Sequence, residues 1–220
     1  GALFCGATPY FSDIEKYSAN ICADEIIKNT KNRKIKLCVP VHMGGYPADM
    51  KKIHNVCKNK KINVIEDASH ALGAKYKDGS RVGNCKYSLM TVFSLHPVKI
   101  IAGGEGGVIT TNDKKIYENL KILRSHGIEK NHKNFKNKFF ANNKSNIPEP
   151  WAYEVQKVGF NYRLTDIQSA LAVSQLKKIN LFLKKRFKIA EKYHEAFNNN
   201  SYINPFTFGY FIRNKWFIST

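Results

Sequence analysis

Short continuous apolar runs alternate with longer segments in which apolar residues recur every three or four positions. The two patterns predict strands and helices in turn. Residues 34–42 (KIKLCVPVH) form a β-branched apolar run that predicts a buried strand. In 47–60 (PADMKKIHNVCKNK), Ile53, Val56 and Cys57 share one face, which predicts an amphipathic helix. Residues 62–68 (INVIEDA) predict a strand ending in two acids, and 87–95 and 106–112 predict two more strands. Residues 113–127 open on Asp113 and close on Gly127, the punctuation of a capped helix. Farther on, 164–179 carries an apolar stripe behind Thr165 as the predicted N-cap, and 181–197 predicts a longer amphipathic helix. Strand–helix alternation with short apolar strands implies an α/β fold, a mainly parallel sheet flanked by helices on both faces.

One stretch breaks the alternation. Residues 128–150 (IEKNHKNFKNKFFANNKSNIPEP) turn to Asn, Lys, Phe and Pro, and predict a long loop inside an ordered chain. No apolar run reaches the roughly 18 residues of a membrane helix, and the opening GALFCGATPYF lacks the charged start of a signal peptide. Five Cys at 5, 22, 38, 57 and 85, with no C-x-x-C pair, argue for a reducing cytoplasm over a disulfide scaffold or a zinc site. The net charge of +19 raises the prospect of a nucleic-acid module. Only six of the 36 basic residues are Arg, however, and the Lys are scattered among Asn, the pattern of a solvated surface.

Candidate chemistry lies where ligands of open α/β sheets bind, beyond the carboxyl ends of strands. Asp67 follows NVIE, and the segment from Ser94 to Lys99 follows LMTVF. Taken alone, Asp67 reads as a cap for a following helix and Lys99 as a surface lysine. The glycines of GGEGG (103–107) lead into a strand, where a dinucleotide loop requires a helix, so they are not a nucleotide fingerprint. They permit either close backbone approach to a flat ligand or a bulged turn. A lysine amine that condenses with a carbonyl, an acid that pairs with a pyridine nitrogen and a hydroxyl that binds phosphate are what pyridoxal 5′-phosphate requires. Lys99, Asp67, His70 and Ser94 supply these groups in a fitting order.

Four segments, VPVHMGGYPADM, VIEDASHALGAKYKDGSRVGN, VFSLHPVKIIAGGEGGVITTND and GFNYRLTDIQSALAVSQLKKI, resemble successive signatures of the DegT/DnrJ/EryC1/StrS aminotransferases. The resemblance runs from residue 1 to about residue 198. It implies the large domain of a fold-type I pyridoxal-phosphate transferase that aminates nucleotide-linked keto sugars with L-glutamate as donor. HPVK, EPWAYEVQKVGFNYRLTD and LRSHGI resemble in particular the branch of the family that serves pseudaminic acid biosynthesis. By resemblance, Lys99 is the Schiff-base lysine and proton carrier, Asp67 the partner of the pyridine nitrogen, and His70 a neighbour of the ring oxygen. Ser94 binds the phosphate, and Asn161 reaches the site of a second subunit, which implies a homodimer. Trp151 and Tyr153 border the sugar nucleotide or simply pack as loop aromatics.

Against the family pattern, an N-terminal segment and a C-terminal small domain are missing. The expectation is that 1–180 is the central part of the cofactor-binding large domain, that 181–220 is a helix leading into a truncated small domain, and that this piece alone is inactive. Three other readings stay open here. Lys99 opposes a non-catalytic pyridoxal-phosphate-binding relative, the scarcity of Arg opposes a nucleic-acid-binding module, and EDASHALGA with GFNYRL opposes a decarboxylase or lyase.

Overall fold

The structure is a computed structural model that describes residues 1–137, 141–143, 145–197 and 199–200. The aromatic-rich stretch 207–220, and with it most of the expected small-domain portion, lies outside the described residues.

The elements follow in chain order. Helix α1 (Ala23–Asn29) and the short strand β1 (Leu37–Cys38) precede helix α2 (Met50–Asn59). Strands β2 (Asn63–Asp67), β3 (Met90–Ser94) and β4 (Gly107–Thr110) follow. Then come helix α3 (Lys114–Leu123), strands β5 (Ile128–Glu129) and β6 (Glu154–Val155), and helices α4 (Asp166–Leu176) and α5 (Ile179–Phe197). The described chain divides into two compact units. One comprises 1–112 with the described residues from 166 onward, and the other 113–165.

In the first unit the sheet order is β1-β2-β3-β4. The first two pairings are parallel and the third is antiparallel, so the sheet is mixed with a parallel core. The predicted strand 34–42 shortens to two ladder residues. Pro40 has no N–H to donate, but its carbonyl accepts the Asp67 N–H at 2.9 Å and His42 donates its own N–H to the Asp67 carbonyl at 2.9 Å. The pairing therefore continues as an isolated bridge, Val41 to Asp67. Nor is this run buried on both faces: Leu37, Val39 and Val41 are 41–49% exposed, whereas Cys38, Pro40 and His42 are buried.

Helix α2 forms where the periodicity places it. The Asp49 carboxylate caps it by accepting the Lys52 N–H at 3.3 Å, and Met50, Ile53 and Cys57 turn inward. They meet Val64 of β2, Phe93 of β3, Ala68 and Tyr76 in one core cluster. Ile53 is fully buried, and its truncation to Ala would cost about 3 kcal/mol.

In the second unit α3 is capped by Asp113, whose carboxylate accepts the N–H groups of Lys115 and Ile116. It closes at Leu123, four residues before the predicted Gly127. His126 adopts a left-handed conformation (φ 61°), and the Gly127 N–H returns to the Ile122 carbonyl at 2.9 Å. The segment expected to be a long loop opens on β5, which pairs antiparallel with β6 beyond its end. Phe135, Ala141 and Ala152 form a small buried cluster there.

Candidate functional site

Strand alternation sorts the two acids that end β2. Glu66 pairs with Thr91 and Asp67 with Val92 across the parallel β2–β3 ladder. Successive side chains point to opposite faces, so Glu66 and Thr91 share the covered face. Asp67, Val92 and, two residues on, Ser94 share the other. Glu66 and Thr91 are fully buried, whereas Asp67 and Ser94 are half-buried at the carboxyl ends of adjacent strands.

Asp67 does not cap a helix. Its Oδ1 accepts both the Ser69 N–H at 3.0 Å and the Ser69 hydroxyl at 2.6 Å, which closes a tight local turn. Its Oδ2 accepts no hydrogen bond from the described residues. Its backbone is held on both sides, by the Pro40 and His42 bonds and by the Ala68 N–H bond to the Val92 carbonyl at 2.8 Å.

The turn after β3 fixes Lys99. Its N–H donates to the His96 carbonyl at 2.9 Å. Leu95, Ile100 and Ile101 on either side are buried. The Gly103 N–H returns to the Leu95 carbonyl at 2.8 Å, and the Leu95 N–H to the Gly106 carbonyl at 3.0 Å. A chain that doubles back this tightly needs left-handed backbone, supplied by Gly104 (φ 85°) and Gly106 (φ 140°). The glycine stretch is thus a turn into β4. The Lys99 amine makes no ion pair among the described residues. The Ser94 hydroxyl oxygen accepts the His96 N–H at 3.2 Å, leaving its own proton available to donate.

His70 ties these groups together electrostatically. Burial pushes its imidazole below the ordinary histidine value, and the positive charge of Lys99 pushes it further, while the carboxylate of Asp67 pulls the other way. A cation and an anion from two strand ends therefore act on one ring. Asp67, His70, Ser94 and Lys99 all belong to the first unit. Asn161 belongs to the second, where it is exposed and bridges Ser125. Trp151 and Tyr153 also lie there, 71% and 60% exposed.

Sequence reasoning missed what stands behind Asp67. The Glu66 Oε2 accepts from the Tyr76 hydroxyl at 2.5 Å and lies 2.9 Å from His42 Nε2. Its Oε1 accepts from the Ser88 hydroxyl and, at 3.2 Å, from Thr91. His42 Nδ1 accepts the Ala48 N–H at 3.1 Å, so Nε2 carries the proton and donates to Glu66. Burial drives the Glu66 pKa up, but the bonds from His42, Ser88 and Tyr76 outweigh it and the net shift is downward. Two consecutive acids in a buried strand were the available signal, because alternation must send one of them into the core.

The chain from residue 1 to residue 215 matches the model of the DegT/DnrJ/EryC1/StrS aminotransferase family. The chain belongs to that family. It is 36% identical over 201 residues to the UDP-4-amino-4,6-dideoxy-N-acetyl-beta-L-altrosamine transaminase of Helicobacter pylori, an alignment that covers 91% of this chain and 48% of that protein. Among solved structures, Helicobacter pylori PseC, an aminotransferase involved in the biosynthesis of pseudoaminic acid, superimposes with a TM-score of 0.76 at 34% identity. That superposition covers 90% of this chain and 48% of the other. The sugar aminotransferase Spr1654 of Streptococcus pneumoniae, in its PMP-form, gives 0.76 at 25% identity, covering 90% and 51%. The chain spans about half the length of the curated relatives it matches.

Enzymes of this family are pyridoxal-phosphate-dependent sugar aminotransferases, and the residues present here fit that cofactor. Among the described residues, a carboxylate oxygen without a donor, a serine hydroxyl with its proton uncommitted and, in the turn beyond β3, a lysine amine without an ion pair lie at and just past the carboxyl ends of β2 and β3. Among the described residues no helix is long and apolar enough to cross a membrane, and no cluster of His, Cys, Asp and Glu is arranged to hold a metal ion.

Proposed function

We propose that this protein transfers an amino group from L-glutamate to a nucleotide-linked 4-keto-6-deoxy sugar, working as a homodimer in the cytoplasm. The product would be UDP-4-amino-4,6-dideoxy-N-acetyl-β-L-altrosamine, a precursor of bacterial surface glycan. The observation that carries this reading is the placement of Asp67 and Ser94 at the carboxyl ends of adjacent strands, with Lys99 fixed in the turn that follows the second. The sugar and its nucleotide rest on the identity to the Helicobacter pylori transaminase.

When bound, pyridoxal 5′-phosphate would supply the electron sink that stabilises negative charge on the substrate carbon. The chain's own groups divide the remaining work. The free oxygen of Asp67 would hold a proton on the pyridine nitrogen by charge pairing. Burial keeps His70 neutral near pH 7, which suits a ring that hydrogen-bonds a phenolic oxygen without adding charge. Ser94 would donate its hydroxyl to the phosphate. Lys99, hinged between buried Leu95 and Ile100, would take a proton from the glutamate α-carbon in the first half-reaction and deliver one to C4 of the sugar in the second, as general base and then general acid. Asn161 would complete the site of a partner subunit.

The deciding experiment is borohydride reduction of the protein with pyridoxal 5′-phosphate, followed by peptide mapping. The cofactor mass should appear on the peptide containing Lys99. A stable adduct on another lysine overturns the assignment. Amino transfer from glutamate to the keto sugar by the full-length protein, lost by at least about a thousandfold in Lys99→Ala, tests the reaction itself. The 220 residues alone are expected to show little turnover.

A further inference from the structure

The first unit holds a cavity of about 350 Å³ that shares no residue with the Lys99 site. Three cations line it, Lys75, Arg81 and Lys184, together with the amide of Asn180 and an apolar wall of Leu183 and Phe187. No acid lines it.

Lys75 and Arg81 are held together by a hairpin. The Tyr76 N–H donates to the Ser80 carbonyl at 2.8 Å and the Val82 N–H to the Ala74 carbonyl at 3.0 Å. These bonds flank Lys75 and Arg81 and make them a directly opposed, non-hydrogen-bonded antiparallel pair. In such a pair the Cβ atoms lie about 4.5–5.5 Å apart, and like charges there repel. Gly79 (φ 82°) closes the three-residue loop.

Acids are available nearby yet serve other cations. Lys77 pairs with Asp49 at 3.4 Å and Lys86 with Asp78 at 2.5 Å. Lys75, Arg81 and Lys184 take part in no ion pair among the described residues. The opposite wall is equally fixed. A Cβ on Gly73 (φ 86°) would meet Leu183 Cδ1 at 2.7 Å, so α5 seats directly against the loop. The result is a preformed concave site with about three uncompensated positive charges, one of them a planar fork suited to bidentate oxyanion binding.

We propose that this cavity binds a diphosphate-bearing small molecule. A diphosphate carries about three negative charges near pH 7 and matches the three cations, whereas a monocarboxylate carries only one. Leu183 and Phe187 would contact whatever the diphosphate is attached to.

The test is calorimetric titration of the protein with inorganic pyrophosphate, and separately with ADP, at 0.15 M salt. One site is expected for each probe, weakened at least about tenfold by Arg81→Gln and further by Lys75→Gln/Arg81→Gln. Lys51→Gln/Lys60→Gln removes the same charge from exposed positions elsewhere and should change affinity less than about twofold. ADP binding more tightly than pyrophosphate assigns the site to nucleoside diphosphates, and equal affinity assigns it to the diphosphate group alone. All substituted residues are exposed, and unchanged melting temperatures would establish that the variants fold. Absence of pyrophosphate binding, or equal weakening by both double variants, overturns the proposal.

Discussion

At the scale of single residues, the informative contrast is between neighbours Glu66 and Asp67. One is a buried carboxylate with four donors, and the other keeps an oxygen that accepts from none of the described residues. Replacing Glu66 by Gln puts an amide N–H₂ among groups that all donate. The variant should lose about 3 kcal/mol in denaturant unfolding. The pH dependence has a definite sign. A carboxyl whose folded pKa lies below its ordinary value of 4.5 stabilises the fold above that value, and the stabilisation disappears as pH falls through the folded pKa. Glu66→Gln should therefore flatten the acid limb of the stability profile. His70 offers a second test, read by NMR titration of its ring without added cofactor. Its midpoint should lie below 6.5, move up in Lys99→Gln and move further down in Asp67→Asn. Shifts of the same sign in both variants would mean that the three side chains do not share one environment.

At the scale of elements, legibility followed how much of the information was local. Helix α2 was readable because Ile53, Val56 and Cys57 repeat at helical spacing, and the structure buries Ile53 and Cys57 and half-buries Val56. The strand at 34–42 was over-read. Its apolar content mimics a fully covered strand, while Pro40 and a half-exposed face reduce it to two ladder residues and a bridge. The pairing of β5 with β6 left no trace, since two-residue strands 25 positions apart show no periodicity. Asp67 and Lys99 were legible as strand-end residues, but the Glu66 network was not, because its four donors come from three separate segments. The crossing of 122–127 with 156–160 was also hidden. There a Cβ on Gly127 would fall 1.7 Å from the Lys157 carbonyl oxygen, at φ 74°. Gly127→Ala should cost about 3 kcal/mol or more of local stability, because left-handed strain adds to a backbone clash that no rotamer relieves. Faster limited proteolysis within 128–137 is the expected readout, and unchanged cleavage would refute the close crossing.

At the scale of the molecule, the two units differ in what holds each of them. The first has a four-stranded sheet, a core cluster running from α1 through β3, and the saturated hydrogen bonds around Glu66. The second relies on two-residue strands, the small apolar cluster of Phe135, Ala141 and Ala152, and exposed side-chain bonds such as those of Glu154 to the Lys136 and Asn137 N–H groups. Amide exchange follows the free energy of the smallest opening that exposes a hydrogen bond, and little buried apolar area means a cheap opening. Native-state exchange should therefore give two classes. Amides of Val64, Glu66 and Phe93 should exchange only near the global unfolding limit, and those of Ile128 and Val155 at least about a hundredfold faster. The separation should also respond selectively to substitution. Ile53→Ala should bring the slow class down without changing Ile128 and Val155, since Ile53 belongs to the core of the first unit alone. If both classes shift together, the chain unfolds as one cooperative body and the division at residues 112 and 166 has no energetic meaning.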